Sequence, residues 1–194
     1  MRIIAGKYKG RTIKMPKKIR PTQDKVRKAL FDILGEMEGV SFLELYSGSG
    51  AVGFEALSRG AAELALVEYD PDCVLAIKKN IEGLKVVSCR LYPLEAEKAV
   101  ISFFKDKRKF DVIFMDPPYY KGLATPNLKG KVGVPLSAAK KTLQILGAYD
   151  ILAPDGLLIS QHFKKDSLPE TAGDLKLFRQ SRYGDTVLSF YRKI

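Results

Sequence analysis

The chain has 194 residues, 33 of them Lys or Arg and 22 Asp or Glu, for a formal net charge of +11. Its 46% apolar content argues against intrinsic disorder, and the length suits one full domain with an appendage. Two widely separated cysteines, Cys73 and Cys89, and a single histidine, His162, exclude a disulfide framework, a cysteine-based zinc site and a histidine-rich metal centre.

The charge is concentrated at the start. Residues 1–28 hold eleven basic residues and one acid, Asp24, whereas the other 166 residues are close to neutral. A basic segment of this kind attracts phosphates, and its binding is salt-dependent through counterion release. The basic residues interleave with Ile3, Ile4, Tyr8, Ile13 and Met15, which predicts an ordered β-ribbon with turns at Gly6 and Gly10. Pro21 then stands near a helix start, with Asp24 or Thr22 as the N-cap. Val26, Ala29, Leu30, Ile33 and Leu34 follow at helical spacing, so the arm is expected to dock on the body through one helix.

Beyond residue 40 the pattern alternates. Apolar strands are expected at Ser41–Tyr46, Glu63–Glu68, Lys85–Ser88, Phe110–Met115 and Gly156–Gln161. Helices are expected at Gly50–Arg59, Pro71–Glu82, Leu94–Lys105 and Leu136–Ile151. Such alternation predicts an α/β fold with a mostly parallel sheet covered on both faces. Lys176–Arg182 and Thr186–Arg192 read as an antiparallel pair at one end of the sheet, and the aperiodic stretch from Tyr119 to Pro135 as an active-site loop. The absence of an 18-residue apolar run and of a signal-peptide pattern gives the expectation of a reduced, cytoplasmic, soluble protein.

Two motifs carry chemistry. The first strand ends in E-L-Y-S-G-S-G-A-V-G, in which Ser47, Gly48, Ser49, Gly50 and Gly53 form a tight strand-to-helix turn. Glycines let a ligand approach the backbone, and the helix start offers unpaired N–H groups, although close strand–helix packing alone asks for the same residues. Glu68, twenty residues after Gly48 at the end of the second strand, is placed to accept ribose hydroxyls. Glu44 repels pyrophosphate and suits a cationic, amino-acid-bearing cofactor, which describes S-adenosylmethionine and not NAD. The second motif is Asp116-Pro117-Pro118-Tyr119 at the end of the fourth strand, where open α/β sheets bind ligands. Asp116 and the Pro117 carbonyl can accept the two hydrogens of an exocyclic amine, and Tyr119 can stack on the base, worth about 1–3 kcal/mol.

E-L-Y-S-G-S-G-A-V-G, V-E-Y-D and D-P-P-Y in this order resemble the class I, Rossmann-like S-adenosylmethionine-dependent methyltransferases that act on amines. R-I-I-A-G-K-Y-K-G-R, R-P-T-Q-D-K-V-R-K-A-L-F-D-I-L and Y-G-D-T-V-L-S-F-Y narrow the resemblance to the RsmD family, over essentially the whole chain. That family methylates the N2 amine of one guanine in small-subunit (16S) ribosomal RNA. The resemblance implies a seven-stranded sheet, a basic arm and docking helix over residues 1–38 and a methyltransferase domain over 39–194. Glu44, Ser47, Gly48, Gly50, Glu68, Tyr69, Arg90 and Asp116 are expected at the cofactor. The resemblance assigns Asp116, Pro117 and Tyr119 to catalysis and implies that Arg20, Thr22, Arg27 and Tyr119 touch the substrate RNA, while Arg2, Lys7, Lys9 and Arg11 are expected on its phosphates from the charge of the arm. Pro21 and Asp24 belong to the same flanking motif. Where relatives carry an Asp or Asn facing adenine after strand three, this chain runs S-C-R-L, leaving Ser88 or Arg90 near that place. Relatives often have an acid where this chain has Gln161, so Gln161 and His162 read as structural. No metal is required, and a monomer acting on 16S RNA, naked or within a small subunit or assembly intermediate, is expected. A DNA adenine-N6 methyltransferase shares D-P-P-Y, and a non-catalytic RNA-binding module would share the fold.

Overall fold

The computed structural model describes residues 1–16, 24–118 and 137–194. The elements run α1 (Asp24–Leu34), β1 (Ser41–Leu45), α2 (Ala51–Ser58), β2 (Glu63–Val67), α3 (Pro71–Leu84), β3 (Cys89–Tyr92), α4 (Ala96–Lys105), β4 (Phe110–Met115), α5 (Ala138–Ala148), β5 (Leu152–Phe163), β6 (Thr171–Ala172), β7 (Leu175–Tyr183) and β8 (Thr186–Lys193). They form one sheet in the order β3-β2-β1-β4-β5-β8-β7-β6. From β3 to β5 the pairing is parallel; β5, β8, β7 and β6 pair antiparallel. The two-residue β6 is an eighth strand beyond the seven expected. Among the described residues, no helix is long and apolar enough to cross a membrane.

The apolar strands explain the layers. β1, β2 and β4 are buried over nearly their whole length, as strands sandwiched by helices must be. Alternate residues point to two cores. Phe42, Leu64, Phe114, Ile159, Leu188 and Phe190 pack with α1 and α2 on one face. Leu43, Ala65, Ile113, Leu158 and Tyr191 pack with α4 and α5 on the other. Ile3 and Ile13 of the arm are 3% and 1% exposed and join the first core.

The third strand differs from expectation. Lys85 closes α3 in a left-handed conformation, φ 56°, and Val87 is 95% exposed, so the Val86-Val87 pair belongs to the connection. The strand forms four residues later, where Cys89 and Leu91 face the first core and Tyr92 the second.

The chain moves outward from β1 through β2 and β3, then crosses back to place β4 on the other side of β1. The carboxyl ends of β1 and β4 therefore flank a topological switch point, where adjacent connections leave in opposite directions and open a crevice.

Candidate active site

The turn after β1 is built around Glu44. Tyr46 takes φ 59°, uncommon for a non-glycine residue, and Gly48 and Gly50 take φ 54° and 75°. Gly50 precedes α2 without a side chain to cap it, and Glu44 does that work from the strand: its Oε2 accepts the Gly53 N–H at 2.9 Å. A Cβ on Gly53 would lie 2.8 Å from that oxygen and 2.6 Å from Leu64 Cδ1, so the close approach requires glycine. Glu44 is fully buried, and burial pushes its pKa up to about 8, with Asp116 and Glu68 adding like-charge repulsion. Ser47, expected at the cofactor, instead locks β1 to β2: its hydroxyl lies 2.7 Å from Glu44 O and accepts the Val67 N–H at 3.0 Å.

Glu68 holds the opposite wall. Its Oε2 accepts the Gly48 N–H at 2.8 Å, and its Oε1 accepts those of Tyr69 and Asp70 at 2.8 and 2.9 Å. A carboxylate has about four acceptor positions, so room is left for a hydroxyl donor. Tyr69 follows it, 61% exposed. The register of β3 corrects the expectation for Arg90. Arg90 pairs with Ala65 inside the strand, two residues before its end, and so stands away from the ligand edge. The loop that leaves β3 there is Pro93-Leu94-Glu95, with Leu94 partly exposed. Tyr69 and Leu94 thus supply exposed apolar groups on neighbouring loops, where a planar base could lie.

Asp116 leaves β4 on the first-core face, with Pro117 buried behind it. The Gln161 Nε2 donates to Asp116 Oδ2 at 2.6 Å, while Gln161 is itself 5% exposed. Gln161 therefore orients the acid, a role its place in an otherwise apolar strand did not signal. His162 is structural: its Nε2 lies 2.7 Å from Ser189 Oγ, and burial lowers its pKa. Tyr119 lies outside the described residues, as do Arg20, Pro21, Thr22 and the expected loop at Tyr119–Pro135. Three carboxyl groups thus converge on one crevice, a setting that disfavours phosphate and suits a cationic ligand able to draw off the Glu44 proton. Among the described residues, no cluster of metal-binding side chains occurs.

The arm forms the expected ribbon around a single bridge, Arg2 to Thr12. It is fastened to α2 by Glu55, whose fully buried carboxylate accepts the Ile4 and Ala5 N–H groups at 2.7 and 3.0 Å. Ser58 accepts the Lys7 N–H through its carbonyl at 2.7 Å and the Tyr8 N–H through its hydroxyl at 2.9 Å. Asn80 ties the arm to the glycine turn: its Oδ1 accepts the Lys14 N–H at 2.8 Å and its Nδ2 donates to Ser49 O at 3.0 Å. Arg2, Lys7, Lys9 and Arg11 are exposed. Lys7 and Arg11 sit at the far end of α2 and α3, away from the crevice; Arg11 donates to Gly83 O at 2.7 Å. They cannot reach a group bound in the crevice. Arg27 corrects another expectation. It is fully buried, donates to Arg2 O at 2.6 Å and lies 3.8 Å from Glu55, so it joins the arm to the body and offers nothing to a phosphate. Asp24 is the first residue of α1 and pairs with Arg27 at 3.1 Å. Glu55, Ser58 and Asn80 carried no sequence signal, because they hold the arm by its backbone.

Comparison with known proteins agrees with this geometry. The model of the family described as Conserved hypothetical protein 95 matches residues 1–192. The putative rRNA methyltransferase YlbH of Bacillus subtilis is 34% identical over 197 aligned residues, covering 100% of this chain and 99% of that protein. The ribosomal RNA small subunit methyltransferase D of Escherichia coli K12 is 29% identical, covering 100% of this chain and 90% of that protein. The solved structure of the putative methyltransferase yhhF from Escherichia coli superposes with a TM-score of 0.79 at 30% identity, over 100% of this chain and 97% of that one. With its Rossmann-like sheet, glycine turn and strand-end Asp-Pro-Pro, the chain belongs to this family, the RsmD methyltransferases.

Proposed function

We propose that the protein transfers a methyl group from S-adenosylmethionine to the exocyclic N2 of a guanine in small-subunit ribosomal RNA. The observation that carries this reading is Asp116, held by Gln161 at the switch point beside the buried Glu44 and the ribose-facing Glu68. The names of the relatives, an rRNA and a small-subunit rRNA methyltransferase, support the substrate class.

The residues present fit the donor. Glu44 is a buried carboxyl group whose ionised form a cation favours, Glu68 keeps acceptor positions for ribose, and Tyr69 and Leu94 offer apolar contact to adenine. S-adenosylmethionine, when bound, supplies an electrophilic methyl carbon on sulfur. Asp116 and the Pro117 carbonyl accept the two amine hydrogens of the guanine and turn its nitrogen lone pair toward that carbon. A donor held by Glu44 and Glu68 would give its methyl to that nitrogen, its sulfur keeping the electron pair of the bond it loses. Asp116 then takes up or relays the proton lost by nitrogen. The catalysis is positioning and charge stabilisation. The target base must leave its stack, at a cost of a few kcal/mol that is smallest in a loop.

The test is transfer of labelled methyl to unmodified 16S rRNA, assembled small subunits and duplex DNA, followed by digestion to nucleosides. Label in N2-methylguanosine from RNA or subunits is expected. Label in N6-methyladenine would move the protein to the DNA enzymes, and failure to bind S-adenosylmethionine would leave an RNA-binding module. Asp116→Ala should lower transfer by at least about 100-fold, a typical cost of removing one stabilising group, with donor binding retained. Undiminished transfer would overturn the assignment of Asp116.

A further inference from the structure

A groove of about 860 Å³ lies between the β7–β8 hairpin, the start of β5 and the end of α1, well away from the crevice. It is lined by Lys176, Phe178, Arg179, Arg192 and Lys193, against one acid, Asp155. Three features of this groove have no structural explanation of their own.

The first is a bulge. The register of β7 on β8 slips between Leu177, opposite Tyr191, and Arg179, opposite Phe190, leaving Phe178 without a partner. Bulges re-aim side chains, and this one turns Phe178 outward, 45% exposed. The second is charge. Lys176 stands directly opposite Arg192 across the two strands, and like charges so placed repel. Among the described residues, neither they nor Arg179 has an acid within ion-pair distance, whereas Lys193 is neutralised by Asp150 at 2.5 Å. The third is stacking. The Arg192 guanidinium lies 5.3 Å from the centre of the exposed Phe178 ring, and that of Arg179 lies 5.8 Å from the buried Phe190 beside it, so one planar cation sits against the exposed ring and a second stands next to it.

We propose that this groove is a second RNA-binding surface, in which one flanking nucleotide of the ribosomal RNA stacks on Phe178 while its phosphates sit between Lys176 and Arg192. A strand of phosphates relieves the Lys176–Arg192 repulsion, and an exposed ring beside a guanidinium group suits an unpaired base. The groove cannot hold the reacting guanine. Leu188 pairs with Gln161 at the catalytic end of β5, and Arg192 is four residues farther along β8, about 13 Å away at the rise of a strand. The proposal rests on the ribosomal-RNA reading above.

The test uses the full-length protein and unmodified 16S rRNA transcript, with binding measured across a salt series and donor binding and melting measured alongside. Phe178→Leu keeps the packing on Phe190 but removes the stacking face; affinity should fall roughly five-fold or more with the salt slope unchanged. Lys176→Glu creates a cross-strand ion pair with Arg192, so it should melt no lower than the wild type while binding RNA more weakly and with a smaller salt slope. A purely structural groove would show the reverse, a stability change without an RNA effect. Wild-type affinity and slope in both variants would overturn the proposal and leave the catalytic reading intact. A wild-type protein that binds neither transcript nor subunits would overturn both.

Discussion

A carboxyl group without solvent, with Asp116 and Glu68 nearby and the start of a helix beneath it, is pulled two ways. Desolvation keeps the Glu44 proton on; the Gly53 N–H draws it off, and burial dominates, so the pKa rises from 4.5 to about 8. Between those pH values the folded chain holds a proton that the unfolded chain has lost. Stability should therefore decline as pH climbs from about 4.5 to about 8 and level off above, by a few kcal/mol at roughly 1.36 kcal/mol per pKa unit. A cationic donor prefers the ionised form, so donor binding below pH 8 must expel the proton and should strengthen as pH approaches that value. Glu44→Gln keeps the acceptor for Gly53 N–H and cannot ionise. It should flatten the decline in melting temperature, weaken donor binding and lose the Glu44-dependent part of its pH dependence. Calorimetric titration of both proteins between pH 5 and 9 checks this, and matching profiles would show that the Glu44 proton plays no part. At this scale the sequence was partly legible. Glu44, Glu68 and Asp116 announced themselves as acids at strand ends. Gln161 did not, because a polar residue inside a strand looks the same whether it faces a catalytic acid or a neighbouring backbone.

Among the elements, the arm is bound into the body more tightly than a basic tail would be. Its backbone supplies the hydrogens that Glu55 and Ser58 accept, and its isoleucines complete a core begun by α1 and β1. Gly6 makes this docking possible: with φ +78°, a Cβ there would fall 1.7 Å from the carbonyl oxygen of Ser58. Gly6→Ala must therefore lift the ribbon off α2 and strand the buried Glu55 and Arg27. The expected loss is at least about 2 kcal/mol, in the range for buried polar groups deprived of partners. Urea unfolding measures it, and wild-type stability would mean that the ribbon docks by other contacts. The helices and the central strands were readable because apolar runs of strand length leave little choice when both faces are covered. β3 was misplaced for a local reason: a left-handed Lys85 ends α3 late, and the β-branched pair that looks like a strand is spent on the exposed connection. The bulge at Phe178 was invisible, since a slip in register leaves residue types unchanged.

Over the whole molecule, the arm and the β7–β8 groove both border the face of the sheet that carries α1. The arm lies against α2 and α3, on the side of β1 and β2, and β7 is five strands along from β2, about 24 Å at the usual spacing. Lys25 and Lys28 on α1 are exposed between them. A single RNA spanning this face would meet the two sets of cations as separate contacts, because they share no side chain and lie beyond the 7–10 Å over which substitutions usually couple. Replacing Lys7, Lys9 and Arg11 by serine should then lower the salt slope of rRNA binding by about 2, at roughly 0.7 for each single-strand phosphate contact. Replacing Lys176 and Arg192 by serine should lower it by about 1.4 on the same scale. The five-fold variant should lose both amounts together, with the logarithms of affinity adding and donor binding unchanged, because none of these side chains lies in the crevice. A combined variant no weaker than the arm variant alone would mean that RNA leaves the protein before it reaches β7. Additive losses would mean that one RNA meets the arm and the hairpin as separate contacts, as it would if the reacting guanine were drawn from the stretch between them into the crevice beside Asp116.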